Sequence, residues 1–533
     1  MAKQMLLYRG SLKSCNYRCS YCPFSKRRSS EHELARDRSQ WIQFYGSLAE
    51  GAKEQSPKPG EGVDERAGGG VDERIGARVG AVMITPYGEA LIHPWYWKGI
   101  AAISSLETID AVGAQTNLSF DAEEMLDLFD RAGGRRDKLR LWASFHPEMI
   151  SAGRFSQQCE RIVQAGVTLC AGAVGAPHNL DLIRHLREIL PGEIYLWINR
   201  MDGLRRPYTQ AERSAFQDID PYFPQELKHR KASPANCADR LFAEGDGTLR
   251  LCNISRPVNK NRDGSAPVCG HSACSCYLAY GGRRDYEHHL AFGRYPLFRV
   301  PWKPRAFFFD IDGTLIPRAA GRTAHPSPAL LRKLEILSGD YPLFLATSLP
   351  YRDAVKRCHG FSSLFAGGIF AGGAHILLTK DTKRWETYLP LDHKLTDLLK
   401  NLMSAPTPLF PFRFRIRFYE NEDIVYKATL EKPSKRPWTD DETASVLSLL
   451  SGHSFRSALE GSCLQVTSPE ADKGAGVRRI CSHLGINPKD TLSAGDSPED
   501  ISMFSACGFG IASPDSPPKV RRAADLVWMQ NSE

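Results

Sequence analysis

Short apolar segments alternate with amphipathic segments over about the first 200 residues of the chain. The apolar segments have the length and composition of strands, and they lie at 5–8, 81–85, 109–113, 139–145, 167–172 and 194–199. Helix-like segments separate several of them, at 122–132, 155–165 and 180–190. Strands that alternate with helices are typical of a parallel sheet with crossover helices. We therefore predict an α/β fold in which these strands form a six-stranded partial barrel.

One polar stretch interrupts this pattern. Residues 51–80 are rich in Gly, Glu and Arg, and they contain Gly-Val-Asp-Glu-Arg twice, at 62–66 and 70–74. Such a segment is too polar to bury an apolar face, so we predict a disordered insert without chemistry. A second alternating pattern begins after a proline-bearing linker at 299–304. The length of 533 residues also favours two or three domains rather than one core.

Charge and hydropathy limit the function classes. The net charge of +8 is mild for this length and contains no dense basic run, so it allows anionic substrates but gives no support for nucleic acid. No apolar run approaches the about 18 residues that a membrane span needs. The first residues lack the apolar region of a signal peptide. Fourteen cysteines without an export signal therefore indicate metal or redox chemistry, and we expect a cytoplasmic protein without a membrane partner.

Three cysteines follow the first apolar run at the spacing C-x3-C-x2-C. They are Cys15, Cys19 and Cys22. Thiolates are the ligands that iron–sulfur clusters use, and three of them would leave one iron of a cubane open for a substrate or cofactor. A zinc site or a buried helical face are the alternatives. The polar residues between the cysteines, followed by Pro23, favour a ligand loop.

This signature, with an aromatic residue before the last cysteine, resembles the radical S-adenosylmethionine (radical SAM) superfamily. The resemblance implies a [4Fe-4S] cluster whose open iron binds S-adenosyl-L-methionine (SAM), and an electron donor such as flavodoxin or ferredoxin. It implies reductive cleavage of SAM to a 5'-deoxyadenosyl radical that abstracts hydrogen. It also implies SAM-binding roles for Gly88 and Glu89, although Tyr87 replaces the first glycine of the family's GGE motif. Asn117 and Ser144 lie where the family contacts SAM, or they cap turns.

A second group of cysteines lies between residues 231 and 300. It comprises Cys237, Cys252, Cys269, Cys274 and Cys276. Asp246-Gly247 predicts a hairpin turn that leads into a strand. The arrangement resembles the SPASM or twitch extensions of radical SAM enzymes, which implies an auxiliary [4Fe-4S] cluster. A zinc site that uses His271 and some of these cysteines is the alternative.

Two carboxylates, Asp310 and Asp312, follow the buried strand predicted at 306–309, in the motif D-x-D-G-T. At this spacing one carboxylate can attack phosphorus while the other donates and then accepts a proton, with Mg2+ offsetting the charge. The motif matches the first motif of haloacid dehalogenase (HAD) superfamily phosphatases, and three further motifs follow in order. The resemblance implies an aspartyl-phosphate at Asp310.

The later motifs supply further candidate residues. Thr347, after the strand predicted at 343–346, would hydrogen-bond the phosphoryl group, and Lys473 would neutralise its charge. Asp496 and Asp500 would complete the metal site with Asp310 and Asp312. The interval of about 350–469 resembles the α/β cap of Cof-like and sugar-phosphatase members, with strands at 412–419 and 424–430 and helices near 392–403 and 441–450. Four cationic residues there could reach an anionic ligand or simply face solvent, namely Arg413, Arg415, Arg417 and Lys427.

These features together predict a bifunctional enzyme. A radical SAM core at 1–230 and an auxiliary-cluster extension at 231–300 would precede a HAD-type, Rossmann-like phosphatase domain at 301–533. The expected partners are a small-molecule or peptide substrate for the first part and a phosphorylated small molecule for the second. A radical SAM maturase that modifies a peptide or protein is the first alternative. A non-catalytic iron–sulfur scaffold is the second.

Overall fold

The structure is a computed structural model. It describes residues 4–22, 28–53, 79–227, 230–231, 240–250, 273–274, 286–317, 325–379, 384–404, 414–432, 436–460 and 462–528. The chain divides into two compact units, with the division between Trp302 and Lys303.

The first unit contains a sheet of eight strands in the described ranges. They are β1 (Gln4–Tyr8), β2 (Val79–Ile84), β3 (Ala111–Thr116), β4 (Leu139–Phe145), β5 (Thr168–Val174), β6 (Leu196–Asn199), β8 (Arg240–Ala243) and β9 (Leu249–Arg250). Strands β1 to β6 are parallel and lie side by side in chain order. On its other edge β1 pairs with the parallel strand β8, which pairs antiparallel with β9. A separate antiparallel pair joins β7 (Arg230–Lys231) to β10 (Ala273–Cys274).

Helices of the first unit connect and cover these strands. They are α1 (Glu31–Lys53), α2 (Pro94–Ser105), α3 (Ala122–Arg131), α4 (Ala152–Gln164), α5 (Leu180–Ile189), α6 (Gln210–Ile219), α7 (Phe223–Glu226) and α8 (Tyr286–Phe292). Helix α3 shows why they form where they do. The Asp121 side chain accepts a hydrogen bond from the Glu124 backbone N–H and so caps the first turn. Met125, Leu126 and Phe129 then give the helix one buried apolar face.

Each face of the first sheet has its own core. Side chains of a strand alternate between faces, so Leu6 and Tyr8 pack under the crossover helices, while Leu7 points to the opposite face. On that opposite face the chain's own residues Phe292 and Phe298 cover the sheet. With both faces covered, the carboxyl ends of the strands remain as the edge at which α/β folds build their sites.

The polar insert is narrower than residues 51–80. Helix α1 continues through Lys53, and β2 begins at Val79, which is buried and pairs with Gln4 of β1. The predicted insert was therefore too long at both ends. Its first residues form the last turn of α1, and Val79 near its end belongs to the core. Residues 54–78 lie outside the described residues.

The second unit contains another eight-stranded sheet in the described ranges, in the order β15-β14-β13-β12-β11-β20-β21-β22. The strands are β11 (Ala306–Phe309), β12 (Leu343–Ala346), β13 (Gly367–Phe370), β14 (His375–Leu378), β15 (Trp385–Tyr388), β20 (Thr491–Gly495), β21 (Phe509–Ala512) and β22 (Leu526–Val527). Its helices are α9 (Pro328–Asp340), α10 (Tyr351–Arg357), α13 (Lys473–Leu484), α14 (Asp500–Ala506) and α15 (Pro518–Ala523). The apolar strand β11 is fully buried and pairs in parallel with β12 and β20. This is a Rossmann-like α/β arrangement with β11 at its centre.

A four-stranded antiparallel sheet forms the predicted cap. Its strands are β16 (Arg415–Asn421), β17 (Ile424–Glu431), β18 (Arg456–Glu460) and β19 (Cys463–Thr467), and its helices are α11 (His393–Ser404) and α12 (Asp440–Leu450). All four predicted cap elements are present. The cap is shorter than 350–469, however, since β13 to β15 extend the core sheet instead. The reason is burial: all four residues of β13 are buried, and the strand pairs in parallel with β12.

In the described parts of the chain, every helix is too short or too polar to cross a bilayer.

Candidate active site

Three neighbouring parallel strands of the second unit end in polar residues. Asp310 follows β11, Thr347 follows β12 and Asp496 follows β20. All three side chains are buried. Because the carboxyl ends of parallel strands meet at one edge of a sheet, this edge brings the first, second and fourth predicted motifs together.

Lys473 connects this edge to the third motif. It is the first residue of α13, whose N-terminus is capped by Asp472 through a 2.8 Å hydrogen bond from the Ala475 N–H. Its ammonium group donates to Asp310 Oδ1 at 2.8 Å and to Asp500 Oδ1 at 2.6 Å. Burial alone would lower the pKa of Lys473, but the two carboxylates outweigh burial and raise it. Burial raises the pKa of Asp310, and the Lys473 ammonium opposes that rise.

Asp500 organises the loop after β20. Its Oδ2 accepts hydrogen bonds from the Asp496 N–H at 2.9 Å and the Ser497 N–H at 2.8 Å, and from Ser497 Oγ at 2.9 Å. The close approach requires a glycine at 495, since a Cβ there would lie 2.4 Å from the Asp500 carboxyl carbon. Both oxygens of Asp500 are thus engaged in holding Lys473 and the Asp496 loop.

The same carboxylates can hold a metal ion. One oxygen from each of Asp310, Asp496 and Asp500 lies within 4.8 Å of the other two. Mg2+ prefers oxygen ligands and usually takes few carboxylates, so this buried donor set fits it. Asp310 and Asp496 are the residues that would hold the ion. Asp500 would orient them, because its two oxygens already accept hydrogen bonds.

The Asp312 carboxylate is separate from that group. Its side chain is 42% exposed, and its Oδ1 accepts a 2.8 Å hydrogen bond from Arg357 Nε, at the end of α10. A tight turn places it there, with Gly313 at a φ of +89° and its N–H bonded to the Ile316 carbonyl. The structure therefore sets the Asp312 side chain apart from the metal-ligand group in which the sequence motif had placed it.

The cap contributes to a cleft above Lys473. Core residues Lys473 and Glu499 and cap residues Arg456, Gln465 and Thr467 line this narrow cleft. The cleft therefore brings polar side chains of the cap next to the core lysine.

Lys427 connects the cap to the core. This buried residue of β17 donates to the Ser348 carbonyl at 2.6 Å and to Gln465 Oε1 at 2.7 Å. Arg415 and Arg417, by contrast, face solvent on β16, and Arg413 lies outside the described residues. Of the predicted cap cations, Lys427 is thus the one the structure brings to the loop after β12.

A second pocket lies at the carboxyl edge of the first sheet. It has a cavity volume of about 150 Å³. All the predicted cluster and SAM residues of this unit that the structure describes line it, namely Cys15, Cys19, Cys22, Gly88, Glu89, Asn117 and Ser144. The residues come from four separate segments of the chain, so the fold brings together what the sequence had indicated one motif at a time.

Gly88 joins the two loops of this pocket. A Cβ at this position would lie 1.9 Å from the Ser14 carbonyl oxygen, so the two backbones touch and only glycine fits. The next N–H, that of Glu89, donates to the same carbonyl at 2.9 Å. Tyr87, which replaces the first glycine of the family motif, lies with its ring under the Arg9 guanidinium at 4.7 Å. The substitution therefore leaves the contact made by Gly88 in place.

Glu89 is a buried carboxyl group held by three hydrogen bonds. Its oxygens accept from the Asn117 N–H at 2.6 Å, from Thr116 Oγ1 at 2.8 Å and from the Leu91 N–H at 3.1 Å. Burial raises the pKa of Glu89 to about 7, and the hydrogen bonds oppose that rise. The group therefore titrates near neutral pH, and its carboxylate form would attract a cationic ligand group.

The cysteine loop is held by side chains from later strand ends. Asn117 Nδ2 donates to Asn16 Oδ1 at 3.0 Å, and Tyr21 OH lies 3.0 Å from His146 Nδ1. Glu148 accepts hydrogen bonds from both the N–H and the hydroxyl of Ser20. Burial lowers the pKa of His146 to about 4, so the ring is neutral at pH 7.

The three thiols of the cysteine loop are the donors that a metal group would need. Burial is the main cause that raises the pKa of Cys19 to about 11, and the neighbouring Cys22 and Cys15 raise it further. A metal would therefore displace protons on binding. Three thiolates on one zinc ion lie about 4 Å apart, given a zinc–sulfur distance of about 2.3 Å. Among the described residues these three sulfur atoms do not all lie within 4.8 Å of one another. Thiolates suit both an iron–sulfur cluster and zinc, so the donor set fits either group.

The second cysteine group lies largely outside the described residues. This holds for Cys237, Cys252, Cys269, Cys276 and the side chain of Cys274. The predicted hairpin before Cys252 is present, however. Strands β8 and β9 are antiparallel, and Asp246 Oδ1 accepts from the Thr248 N–H at 2.9 Å in the turn.

Sequence reasoning missed two residues that hold predicted site residues in place. Arg357 reaches Asp312 across 45 positions, and Glu148 reaches Ser20 across 128. A charged residue at a helix end or in a loop has no local signal of such a contact. The sign of the charge and its place near a motif are the available hints.

Residues 449–533 match the haloacid dehalogenase-like hydrolase family. A phosphoglycolate phosphatase from Methanosarcina acetivorans is 36% identical over 229 residues, which are 42% of this chain and 90% of that protein. Another from Archaeoglobus fulgidus is 27% identical over 230 residues, which are 42% of this chain and 91% of that protein.

Other similarities are more limited. A chloroplastic endoribonuclease YBEY from Arabidopsis thaliana is 24% identical over 146 residues. These are 27% of this chain and only 24% of that protein. Among solved structures, a sugar phosphatase of HAD subclass IIB has 20% identity and a TM-score of 0.32, covering 42% of this chain and 92% of that one. A haloacid dehalogenase-like hydrolase from Bacteroides thetaiotaomicron has 17% identity and a TM-score of 0.34, covering 42% and 94%.

The family assignment rests on the relative from Methanosarcina acetivorans, nine-tenths of which this chain covers at more than one-third identity. The matched family model agrees with it. The chain therefore belongs to the haloacid dehalogenase-like hydrolase family of enzymes.

Proposed function

We propose that the second unit hydrolyses the phosphate monoester of a small molecule with Mg2+, through an aspartyl-phosphate at Asp310. The observation that carries this proposal is the buried contact of Lys473 with Asp310 and Asp500 beside Asp496. A buried ammonium in contact with two carboxylates prepares a site for a nucleophile and a phosphate group together. Relatives that are phosphatases add support.

The residues of the second unit can perform both halves of this reaction. A carboxylate oxygen of Asp310 attacks phosphorus, the bond from phosphorus to the leaving oxygen breaks, and Asp312 gives that oxygen a proton. Water then attacks phosphorus, Asp312 takes its proton, and the aspartyl–phosphorus bond breaks to release inorganic phosphate. Lys473 orients Asp310, and the Thr347 hydroxyl would bind a phosphoryl oxygen. When bound, Mg2+ would neutralise part of the phosphate charge.

Hydrolysis assays test this proposal. With Mg2+ and either p-nitrophenyl phosphate or phosphoglycolate, Asp310→Asn should lower kcat by at least about 1,000-fold, as expected when a covalent nucleophile is lost. The matched control is Asp423→Asn, at an exposed turn of the cap. Equal rates for wild type and Asp310→Asn would contradict the proposal.

A second candidate function concerns the pocket of the first unit. We propose that Cys15, Cys19 and Cys22 hold a [4Fe-4S] cluster that binds SAM, with Gly88, Glu89, Asn117 and Ser144 as its bed. In support, these residues line one pocket. When reduced, the cluster would supply the electron that cleaves SAM.

The chain's own residues would position SAM. The Glu89 carboxylate would bind the ammonium group of SAM, and the backbone contact of Gly88 with Ser14 fixes Glu89 next to the cysteine loop. The substrate would be a small molecule or, as the alternative, a peptide or protein. An auxiliary cluster held by the second cysteine group, and an electron donor of the flavodoxin or ferredoxin type, belong to the same proposal.

Anaerobic reconstitution with iron and sulfide tests this second function. The wild type should bind about four iron and four sulfide per cluster, and it should form 5'-deoxyadenosine from SAM when dithionite is present. Cys19→Ala should abolish that product, whereas the control Cys463→Ala, on β19 of the second unit, should not. A wild type that binds the cluster without cleaving SAM would favour the scaffold alternative.

A further inference from the structure

We propose that Arg357 is a positioning residue that holds the Asp312 carboxylate ready to take a proton from water when the aspartyl-phosphate is hydrolysed. This inference rests on the proposed phosphatase function. It assigns a task to a residue outside the four sequence motifs. It also separates the two halves of the reaction, because Arg357 would serve the second half more than the first.

Geometry places Arg357 next to Asp312. Arg357 Nε donates to Asp312 Oδ1 at 2.8 Å, and the Arg357 side chain is 16% exposed. Helix α10 begins after Pro350, shortly after Thr347, and delivers Arg357 from its last turn. The helix thus returns from the second motif to the first and brings a cation to the acid–base residue.

Few other contacts hold the Asp312 carboxylate in one orientation. Within the described ranges, Arg357 is the one side chain that hydrogen-bonds its carboxylate. With Oδ1 held by Arg357, Oδ2 stays available to exchange a proton with the leaving group and with water. A carboxylate that is 42% exposed on a turn would otherwise rotate among several rotamers.

The two carboxylates of the motif have different cations. Lys473 bonds Asp310 and Asp500, and Arg357 bonds Asp312. A charge-assisted hydrogen bond from a guanidinium is strong and directional, so it fixes the orientation of its carboxylate partner. Once the leaving group has taken its proton, the other oxygen of Asp312 must face the attacking water to accept a proton from it. Loss of Arg357 should therefore slow hydrolysis of the aspartyl-phosphate in particular.

Rapid-mixing kinetics with p-nitrophenyl phosphate can separate the halves. This leaving group departs without a proton, so its release reports formation of the aspartyl-phosphate. Arg357→Met should lower steady-state kcat by about 10-fold. Loss of the acid–base residue Asp312 itself should cost more, about 100-fold or greater. It should also produce a burst of p-nitrophenol equal to the enzyme concentration, with a phosphoryl group found on acid-quenched protein.

Two further variants make the result decisive. Arg357→Lys should restore part of the steady-state rate and reduce the burst, since a lysine keeps the charge. Lys356→Met, an exposed cation at the preceding position, should behave like the wild type. If Arg357→Met and Arg357→Lys lower the rate without a burst, or if Arg357→Met keeps the wild-type rate, the inference is wrong. The phosphatase proposal fails separately, through an active Asp310→Asn.

Discussion

Glu89 shows how one buried residue links stability to binding. Its pKa of about 7 in the folded protein lies above the about 4.3 of an exposed glutamate. The folded state thus binds the proton more tightly than the unfolded state. Its contribution to stability is fully present below about pH 4.3 and is lost as the pH rises through 7. The ionised form that destabilises the fold is also the form that a cationic ligand needs.

Replacement of Glu89 should remove this pH dependence. From pH 4.5 to pH 8, the free energy of unfolding of the wild type should fall relative to that of Glu89→Gln by up to about 3 kcal/mol. Urea denaturation at several pH values, followed by tryptophan fluorescence, measures this difference. Glu123→Gln, at an exposed position of α3, is the control. Parallel stability curves for wild type and Glu89→Gln would contradict the assignment.

At the residue scale, sequence motifs located the chemistry but not its supports. Asp310 and Asp496 follow strands of one parallel sheet, and the ends of such strands converge, so their meeting could be predicted. The same rule predicts that Glu89, after a strand of the first sheet, lies at the edge that also holds the cysteine loop. The Arg357–Asp312 and Glu148–Ser20 contacts could not, because they depend on where a helix or loop returns in space. The exposure of Asp312 likewise follows from the turn at Gly313 rather than from the motif spacing.

At the scale of elements, the loops after β1 and β2 act as one piece because Gly88 packs on the Ser14 carbonyl. Gly88→Ala would place a methyl group 1.9 Å from that oxygen. The backbones would have to separate, so we expect a loss of about 1–3 kcal/mol in the free energy of unfolding and a large loss of cluster binding.

The matched control for this change is Gly153→Ala in the first turn of α4. A Cβ at that position meets nothing within 4 Å. Alanine favours a helix over glycine by up to about 1 kcal/mol, so the control should be neutral or slightly more stable. Urea denaturation and iron content measure both variants. A Gly88→Ala protein as stable as the control, with full iron content, would show that the two loops do not depend on this contact.

The elements themselves were largely predictable, whereas their membership of a sheet was not. Strands β16 and β17 and both cap helices lie within a few residues of their predicted positions, because hydrophobic periodicity is a local signal. The pattern of β13 to β15 is equally local, but the pairing of β13 with β12, which joins all three strands to the core sheet, is a long-range contact. The cap boundary was therefore wrong where a core strand resembled a cap strand.

At the scale of the whole molecule, the two proposed metal groups differ in ligand chemistry. Carboxylates in the second unit suit Mg2+, and thiols in the first suit iron. Chelation by EDTA should abolish phosphate hydrolysis by the full chain, and added Mg2+ should restore it. Brief exposure to air should abolish SAM cleavage and leave hydrolysis unchanged. Phosphate release and 5'-deoxyadenosine measured on one preparation check this, and joint loss under either treatment would contradict independent sites.

The segment that covers the second face of the first sheet has a consequence for synthesis of the protein. Phe292 and Phe298 are translated almost 300 residues after β1, yet they belong to the same buried cluster as its Leu7. When only residues 1–230 have left the ribosome, the sheet of the nascent chain has an uncovered apolar face. Such a face favours aggregation or chaperone binding. Nascent first unit should therefore become resistant to protease only when residue 300 has left the exit tunnel. Any fragment made for study of the first unit needs that late segment to remain soluble.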